Sequence, residues 1–342
     1  MREHTILVRP HGRSMPAAAN RSVLEAALDA GLNLPHSCKS GHCGSCRARL
    51  LSGEVHYPNG RPLGLMEEEA RAGNILMCQA LPRSDLVLEA RLVASVDDVE
   101  IKTLPCRIAR LERLAPDVMQ VFLQLPSVEP LRFQPGQYLD VLLEDGRRRS
   151  FSIASPPHDA EPLELHVRRV SGGGFSDMLF TRLGVGSLLR IEGPVGQFVY
   201  RESDRPLLLI AGGTGFAPLK SMLRHVFERD AQREIHLYWG ARRPVDLYEE
   251  ELVLEWVRSH PRLRFTAVLS AAESAGAPHR RLGWVHEAVL ADHPELSAFD
   301  VYVAGPPALV EAVRASYPPR GAARLYFDSF DYAPPATLTS PA

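Results

Sequence analysis

The chain has 342 residues, room for two to three domains at about 150 residues each. With 45% hydrophobic residues, 23% charged residues and a formal net charge of −2, it is neither collagen-like nor wholly disordered, and it carries no global basic field for nucleic acid. No apolar run approaches the roughly 18 residues of a membrane span, and the apolar stretch 5–8 is too short for a signal-peptide core. The expectation is a cytoplasmic protein with neither membrane nor nucleic acid as a partner.

Residues 5–9 predict a strand. Asn20-Arg21-Ser22 supplies a cap for a helix over 23–30, which Gly31 stops. Five cysteines follow along the chain, an odd number that argues against a disulfide framework. Cys38, Cys43 and Cys46 fall within nine residues, and Cys78 follows after a gap of 31. The spacing C-x4-C-x2-C…C is the plant-type pattern for a 2Fe–2S cluster, which takes three thiolates from a wrapping loop and one from elsewhere. Cys38, Cys43, Cys46 and Cys78 are thus the candidate metal ligands. Gly41 and Gly44 let the backbone approach the inorganic sulfides, and Ser40 and Ser45 leave amides free to bond them and tune the potential. Two rival readings stay open. A structural zinc site would use paired C-x2-C or histidines, and only Cys43/Cys46 forms such a pair; a thioredoxin-type redox pair would not need Cys38. Cys106 stands alone and reads as a small buried residue.

Strands are expected at 47–53 and 75–80, around an acidic helical turn at 66–70, so that Cys78 returns on a strand. A strand at 86–90 closes a first domain, 1–92, before a polar linker, 93–102. Strand-like runs at 106–114, 118–125, 137–143, 149–154, 163–170 and 188–192, separated by Gly- or Pro-containing turns, predict an antiparallel barrel over 103–201. The texture then changes. An apolar strand at 207–211, the loop Gly212-Gly213-Thr214-Gly215 and a helix at 218–227 begin a strand–helix alternation. It continues with a strand at 236–239, a helix at 247–260 and strands at 264–269 and 301–304, predicting a parallel sheet over 202–332. The Pro-rich tail 333–342 reads as flexible.

The fold class is therefore α+β and α/β multidomain. The first domain resembles the β-grasp ferredoxin domain along its whole length. Pro135-Gly136-Gln137-Tyr138, Arg149-Ser150-Phe151-Ser152, Gly173-Gly174-Phe175-Ser176 and Gly193-Pro194-Val195-Gly196-Gln197-Phe198, in that order, resemble the FAD-binding β-barrel of the ferredoxin–NADP reductase superfamily. The resemblance implies that Arg149 pairs with the pyrophosphate, Phe151 lies against the ring system and Ser152 bonds the N5 region. Ser150 and Gly173 would line the same site, and Gly174, Phe175 and Ser176 would cap the phosphates at a helix N-terminus. In Leu165-His166-Val167-Arg168, alternation would place His166 and Arg168 on a polar face near the FAD tail, with Val167 between them. Phe151 stands where the family usually has Tyr, a loss of one hydroxyl bond costing about 1 kcal/mol.

Gly212, Gly213, Thr214 and Gly215 lie between an apolar strand and a helix, the context of a phosphate-cradling loop, and Pro218 suits the first helical turn. With Tyr238-Trp239-Gly240-Ala241-Arg242 and Ala304-Gly305-Pro306-Pro307 at later strand ends, they resemble the superfamily's nicotinamide-binding α/β domain. Thr214 would then contact the cofactor near the nicotinamide, and Gly305 and Pro306 would line its site. Many relatives have Cys where this chain has Ala304, which bears on the efficiency of hydride transfer. Arg242 and Arg243 would meet a 2′-phosphate and Asp246 a 2′-hydroxyl; relatives with this domain order mostly use NADH, which is expected over NADPH. Tyr326-Phe327-Asp328-Ser329-Phe330 matches the place where the family keeps an aromatic over the flavin, implying that role for Phe330, with a plain strand end the competing reading.

The resemblance implies a relay from NADH through FAD and the 2Fe–2S cluster to an electron-accepting protein, with Ser152, Thr214 and Phe330 at the reacting centre. Two branches fit. Residues 165–176 and 190–198 look closest to the reductases that serve CDP-6-deoxy-hexulose dehydratases. The other branch is the reductase components of ring-hydroxylating dioxygenases, of the benzoate dioxygenase reductase type, and of di-iron monooxygenases. Lys39, His42, Arg47 and Arg49 around the cluster loop suit an acidic docking face on the acceptor, and equally suit plain solvation. A reading from another class is a redox-responsive carrier with negligible NADH turnover, which Ala304 keeps alive. The sequence implies no particular oligomeric state, and a monomer is compatible with it.

Overall fold

The computed structural model describes residues 3–32, 34–36, 39, 41, 44, 46–62, 64–65, 67–91, 101–127, 130–144, 146–170, 174–322 and 324–330. Cys38, Cys43, His42, Gly173, most of the expected linker and the tail 333–342 lie outside the described residues. The chain forms two compact units: Met1–Val99 with Gly196–Phe198 and Phe327–Ser329, and the remainder. The barrel and the parallel sheet both lie in that second unit.

The first unit runs β1 (Glu3–Arg9), β2 (Arg13–Ala18), α1 (Val23–Asp29), β3 (Arg47–Ser52), β4 (Val55–His56), α2 (Glu67–Arg71), β5 (Asn74–Leu76), β6 (Leu81–Pro82) and β7 (Leu86–Glu89). Its main sheet has the order β2-β1-β7-β3-β5, with β1 and β7 parallel and the other pairings antiparallel. The cap expected before α1 is Ser22. Its Oγ accepts from Glu25 N–H at 3.2 Å while Glu25 Oε2 accepts from Ser22 N–H at 2.9 Å, closing a capping box. Val23, Leu24, Ala26 and Ala27 of α1 then pack on Ile6, Val8 and Leu88 of the sheet. Cys78 is not on a strand: β5 ends at Leu76, and Cys78 sits in the turn that follows.

In the second unit, β8 (Lys102–Ala115), β9 (Val118–Gln124), β10 (Tyr138–Leu142), β11 (Arg148–Ser152), β12 (Leu163–Arg168), α3 (Phe175–Thr181) and β13 (Leu188–Val195) build the barrel. The strand order is β11-β10-β13-β8-β9-β12, antiparallel throughout. The bridge between Ile153 and Leu165, with Ala154 N–H donating to Glu164 O at 2.8 Å, closes it. Inward residues Leu139, Val141, Ile153, Leu165, Val167 and Ile191 share one core with Phe175.

The parallel lobe follows: β14 (Leu207–Gly212), α4 (Phe216–Arg229), β15 (Ile235–Ala241), α5 (Glu250–Ser259), β16 (Leu263–Leu269), β17 (Arg280–Leu282), α6 (Val285–Asp292), β18 (Asp300–Gly305), α7 (Pro307–Ser316) and β19 (Leu325–Ser329). The order β17-β16-β15-β14-β18-β19 reverses direction between β14 and β18, so the crevice beyond their carboxyl ends is where such sheets bind ligands. Every residue of β14 is buried, as its unbroken apolar run requires of a central parallel strand. Among the described residues no helix is long and apolar enough to cross a membrane.

Away from that crevice, His236 of β15 lies 3.2 Å from His293 Nε2 through Nδ1 and 2.9 Å from Thr266 Oγ1 through Nε2. Burial, then the neighbouring His293, pushes its pKa from 6.5 to about 4. The folded chain keeps this ring neutral while the unfolded chain protonates it. Stability is indifferent to His236 above pH 6.5 and falls as the pH drops from there towards 4, by about 3 kcal/mol in all. In urea melts across this pH range, His236→Gln is expected to lose less stability on acidification than the parent chain.

Candidate functional site

At the first unit's candidate centre, Cys46 and Cys78 come together. Cys46 ends the loop just before β3, Cys78 lies in the turn after β5, and the pairing of those strands carries the two thiols to a separation of 3.1 Å. Both are buried and neither is in a disulfide. Met77 N–H donates to Cys46 O at 3.0 Å. Gln79, the residue after Cys78, donates from Nε2 to Lys39 O at 2.9 Å. Lys39, Gly41 and Gly44 all have φ between 55° and 85°, in the left-handed region. A Cβ on Gly41 would press on Gln79 and Pro62. Tyr57, not singled out from the sequence, accepts from Leu76 N–H at 3.1 Å, and burial pushes its hydroxyl up to about 12, so it stays protonated beside the thiols. Two buried sulfurs on a strand end and an adjacent turn fit a thiolate-ligated cluster.

In the barrel, Arg149, Ser150, Phe151 and Ser152 follow one another on β11. Ser152 is buried and Phe151 half-buried, its ring 5.4 Å from that of Phe175. Ser150 Oγ donates to Asp140 Oδ1 at 2.5 Å, and Arg149 Nη1 donates to Arg148 O at 2.8 Å. Gly174 precedes α3 at φ 60°, with the Arg147 guanidinium 3.5 Å from where a Cβ would stand. The Ser176 hydroxyl accepts from Val170 N–H at 3.1 Å, so it holds the turn into α3.

The alternation of β12 is as expected, but its polar face meets different partners. Val167 is in the barrel core. The His166 ring is wholly buried, with Nδ1 3.0 Å from Tyr248 Oη and Nε2 2.8 Å from Glu164 Oε1, so neither ring nitrogen is free for a cofactor. Arg168 reaches the nucleotide-type loop, Nη1 lying 3.1 Å from the Cβ position of Gly213. Its Nε and Nη2 are buried without a hydrogen bond, although Nε stands 3.3 Å from Asp117 Oδ2. A guanidinium with unused N–H groups beside a glycine loop fits a phosphate-bearing ligand.

Gly213–Gly215 forms a single 3₁₀ turn running straight into α4, which therefore starts two residues earlier than expected. Gly215 has ordinary helical φ; what forbids a side chain is the Ala304 carbonyl, which a Cβ would overlap. Likewise a Cβ on Gly212 would meet Pro306 and Leu309 at 2.8 Å, and one on Gly305 would meet the Gly212 backbone at 2.9 Å. These glycines serve the contact between the β14 and β18 ends. Thr214 is buried within that turn. Trp239 Nε1 donates to Gly213 O at 3.0 Å and stacks on Phe216 at 4.1 Å, bracing the turn from below. Phe330, half-buried, is brought to the same place by its N–H, which donates to Gly305 O at 2.8 Å. Arg242 is exposed at the end of β15. Asp246 is turned inward: its Oδ2 accepts from Arg243 N–H at 3.0 Å and its Oδ1 lies 3.5 Å from the Arg243 guanidinium.

Comparison with known proteins fits all three modules. Residues 6–83 match the 2Fe-2S iron-sulfur cluster binding domain family, 105–200 the oxidoreductase FAD-binding domain family and 209–315 the oxidoreductase NAD-binding domain family. The CDP-6-deoxy-L-threo-D-glycero-4-hexulose-3-dehydrase reductase of Yersinia pestis is 38% identical over 331 residues, covering 96% of this chain and 98% of its own. The chain belongs to the iron–sulfur flavoprotein reductases. Terephthalate 1,2-dioxygenase reductase component 1 of Comamonas is 35% identical, covering 97% and 98%. The crystal structure of the Amycolatopsis cytochrome P450 reductase GcoB superposes with a TM-score of 0.77 at 34% identity, covering 96% and 98%.

Reductase residues that sequence reasoning passed over are Arg147, Glu164, Lys220, Tyr248 and Glu249. The signal available was a charge inside an apolar pattern, Lys220 in Phe216–Arg229 and Glu164 in Leu163–Arg168. For this reductase, Gly215→Ala is expected to force the turn off β18, costing about 1–3 kcal/mol as an overpacked site. Thermal melts should show the loss, and the KM for NADH should rise with flavin content unchanged.

Proposed function

We propose that this reductase draws electrons from NADH and delivers them one at a time, through FAD and the 2Fe–2S cluster, to a separate acceptor enzyme. The acceptor favoured is a dehydratase acting on a CDP-6-deoxy-hexulose. The observation that carries the reading is three redox modules in one chain, end to end with the Yersinia pestis reductase at 38% identity. A ring-hydroxylating dioxygenase or a monooxygenase as acceptor is the second reading, supported by the 35% identity to the Comamonas reductase over 97% of this chain. Full-length similarity to reductases weighs against a carrier without NADH turnover. Ala304, which kept that reading open, is fully buried and gives its carbonyl to the packing of Gly215.

Bound FAD supplies the conversion between hydride and single-electron steps. The chain's own residues hold and orient. Cys46 and Cys78, with Cys38 and Cys43, are assigned as cluster ligands. Arg149, Phe151, Ser152, Gly174 and Phe175 are assigned to the flavin, with Ser150 and Ser176 shaping its strand and helix turn. Gly212, Gly213, Thr214, Gly215, Gly305 and Pro306 shape the nicotinamide crevice, Phe330 borders it, and Arg168 offers its unused N–H groups to a phosphate there. Arg242 and Asp246 stand beyond the end of β15 for the adenosine end, and the expectation of NADH over NADPH rests on the family resemblance rather than on these two side chains. Buried cysteines kept out of disulfides at positions 46, 78 and 106 suit the reducing cytoplasm.

Anaerobic titration of the holoprotein with NADH should bleach flavin and cluster bands together, and NADPH at equal concentration should do so less. Flavin and cluster bands that neither nucleotide bleaches would favour the carrier. Cys46→Ser is expected to abolish cytochrome c reduction and to spare ferricyanide reduction by the flavin. Purified candidate acceptors, a dehydratase and an oxygenase, then decide the partner by NADH-dependent product formation.

A further inference from the structure

Where the barrel meets the parallel lobe, four ionisable side chains and a tyrosine are buried together. Glu164 Oε1 accepts from Gln120 Nε2 at 2.6 Å, from Lys220 Nζ at 2.7 Å and, through the contact at 2.8 Å, from His166 Nε2. Lys220 Nζ also donates to Glu249 Oε1 at 2.5 Å. Glu249 Oε2 lies 3.6 Å from His166 Nε2, and Tyr248 Oη lies 3.0 Å from His166 Nδ1. With Nε2 as donor to the carboxylate, Nδ1 accepts from Tyr248, whose hydroxyl keeps its proton because burial and the Glu249 charge push its pKa up. Hydrogen bonds from His166 and the Lys220 charge hold the Glu164 carboxyl well below the usual range against the opposing pull of burial. Glu164, His166 and Glu249 have the spacing of a metal site, but the Lys220 ammonium already stands among them as the cation.

The position of this cluster gives it a consequence for turnover. Glu164 is the β12 residue whose carbonyl accepts from Ala154 N–H, two residues after Ser152, so it marks where the flavin strand closes the barrel. Lys220 sits just over one turn into α4, the helix that begins directly after Gly213–Gly215. Its neighbour Ser221 makes a second bond to the barrel, its Oγ donating to Ser155 O at 2.8 Å. The start of α4, and with it Thr214, is thus tied to the strand carrying Ser152. A buried charge pair of this kind is a poor source of net stability, since its desolvation offsets most of its attraction, but it fixes geometry.

We propose that Lys220 is a positioning residue for hydride transfer, its ammonium bridging Glu164 of the barrel and Glu249 of the lobe so that the nicotinamide turn stands at working distance from the flavin strand. The inference rests on the NADH-to-FAD reading given above. An ångström of misplacement in such a reaction is enough to slow it about a hundredfold.

The test uses flavin- and cluster-loaded protein, with NADH and C4-deuterated NADH, in anaerobic stopped flow. Lys220→Met is expected to slow flavin reduction at saturating NADH by roughly ten- to a hundredfold. Its KM should shift far less, the deuterium effect on flavin reduction should grow, and reoxidation of the pre-reduced, dithionite-free protein by cytochrome c should stay unchanged. Lys220→Arg, which keeps a cation across the junction, should retain most of the rate. The pair Glu164→Gln/Lys220→Met removes one of the stranded charges. It should recover thermal stability while remaining slow, and it carries the test if Lys220→Met alone does not fold. Flavin reduction at the parent rate in the loaded Lys220→Met protein, or a rate that returns with stability in the pair, would overturn the proposal. A parent protein whose flavin NADH does not reduce would instead overturn the relay itself.

Discussion

The second unit depends on a place where backbone meets backbone with nothing between. Gly215 lies on the Ala304 carbonyl and Gly305 on Gly212, so the ends of β14 and β18 approach as closely as main chain allows. This contact fixes the direction in which α4 leaves the sheet. It also leaves the Gly305 carbonyl free to receive Phe330 N–H, and in that way brings the end of the chain to the crevice. Trp239 completes the arrangement by bonding Gly213 O, which stops the turn from lifting. A loop usually credited to its ligand is here shaped first by its own sheet.

Strand β12 shows how one alternating sequence serves two structures. Leu163, Leu165 and Val167 fill the barrel, while Glu164, His166 and Arg168 on the opposite face meet Lys220, Tyr248 and Gly213 of the parallel lobe. The strand is buried on both sides almost to its end, yet only one side is apolar. Glu164 and His166 on its polar side are satisfied by groups brought from other elements, while Arg168 keeps two buried N–H groups unused. The barrel and the lobe consequently form a single compact unit.

Much of this was legible in the sequence wherever the chemistry is local. The cysteine spacing, the cap at Ser22 and the glycine loop between an apolar run and a helix each depend on neighbours within a few residues, and each identified its element. What sequence could not supply is partnership over distance. Nothing near His166 says that Tyr248 will take one of its nitrogens. Gly215 looks like a concession to phosphate until Ala304, far along the chain, is seen against it. The run 75–80 reads as one strand, whereas the backbone turns after Leu76 and so presents the Cys78 sulfur to Cys46.

The Glu164–Lys220 contact joins positions 56 residues apart, on elements that belong to different sequence families. Evolution therefore cannot treat the flavin and nicotinamide segments as freely interchangeable cassettes. A chimaera that took its barrel from one relative and its lobe from another would inherit a buried acid without its base, or the reverse, unless both donors carried the same pair. The two carboxylates and the lysine thus act as a matching code, written across two segments, for which barrels and lobes can share a chain.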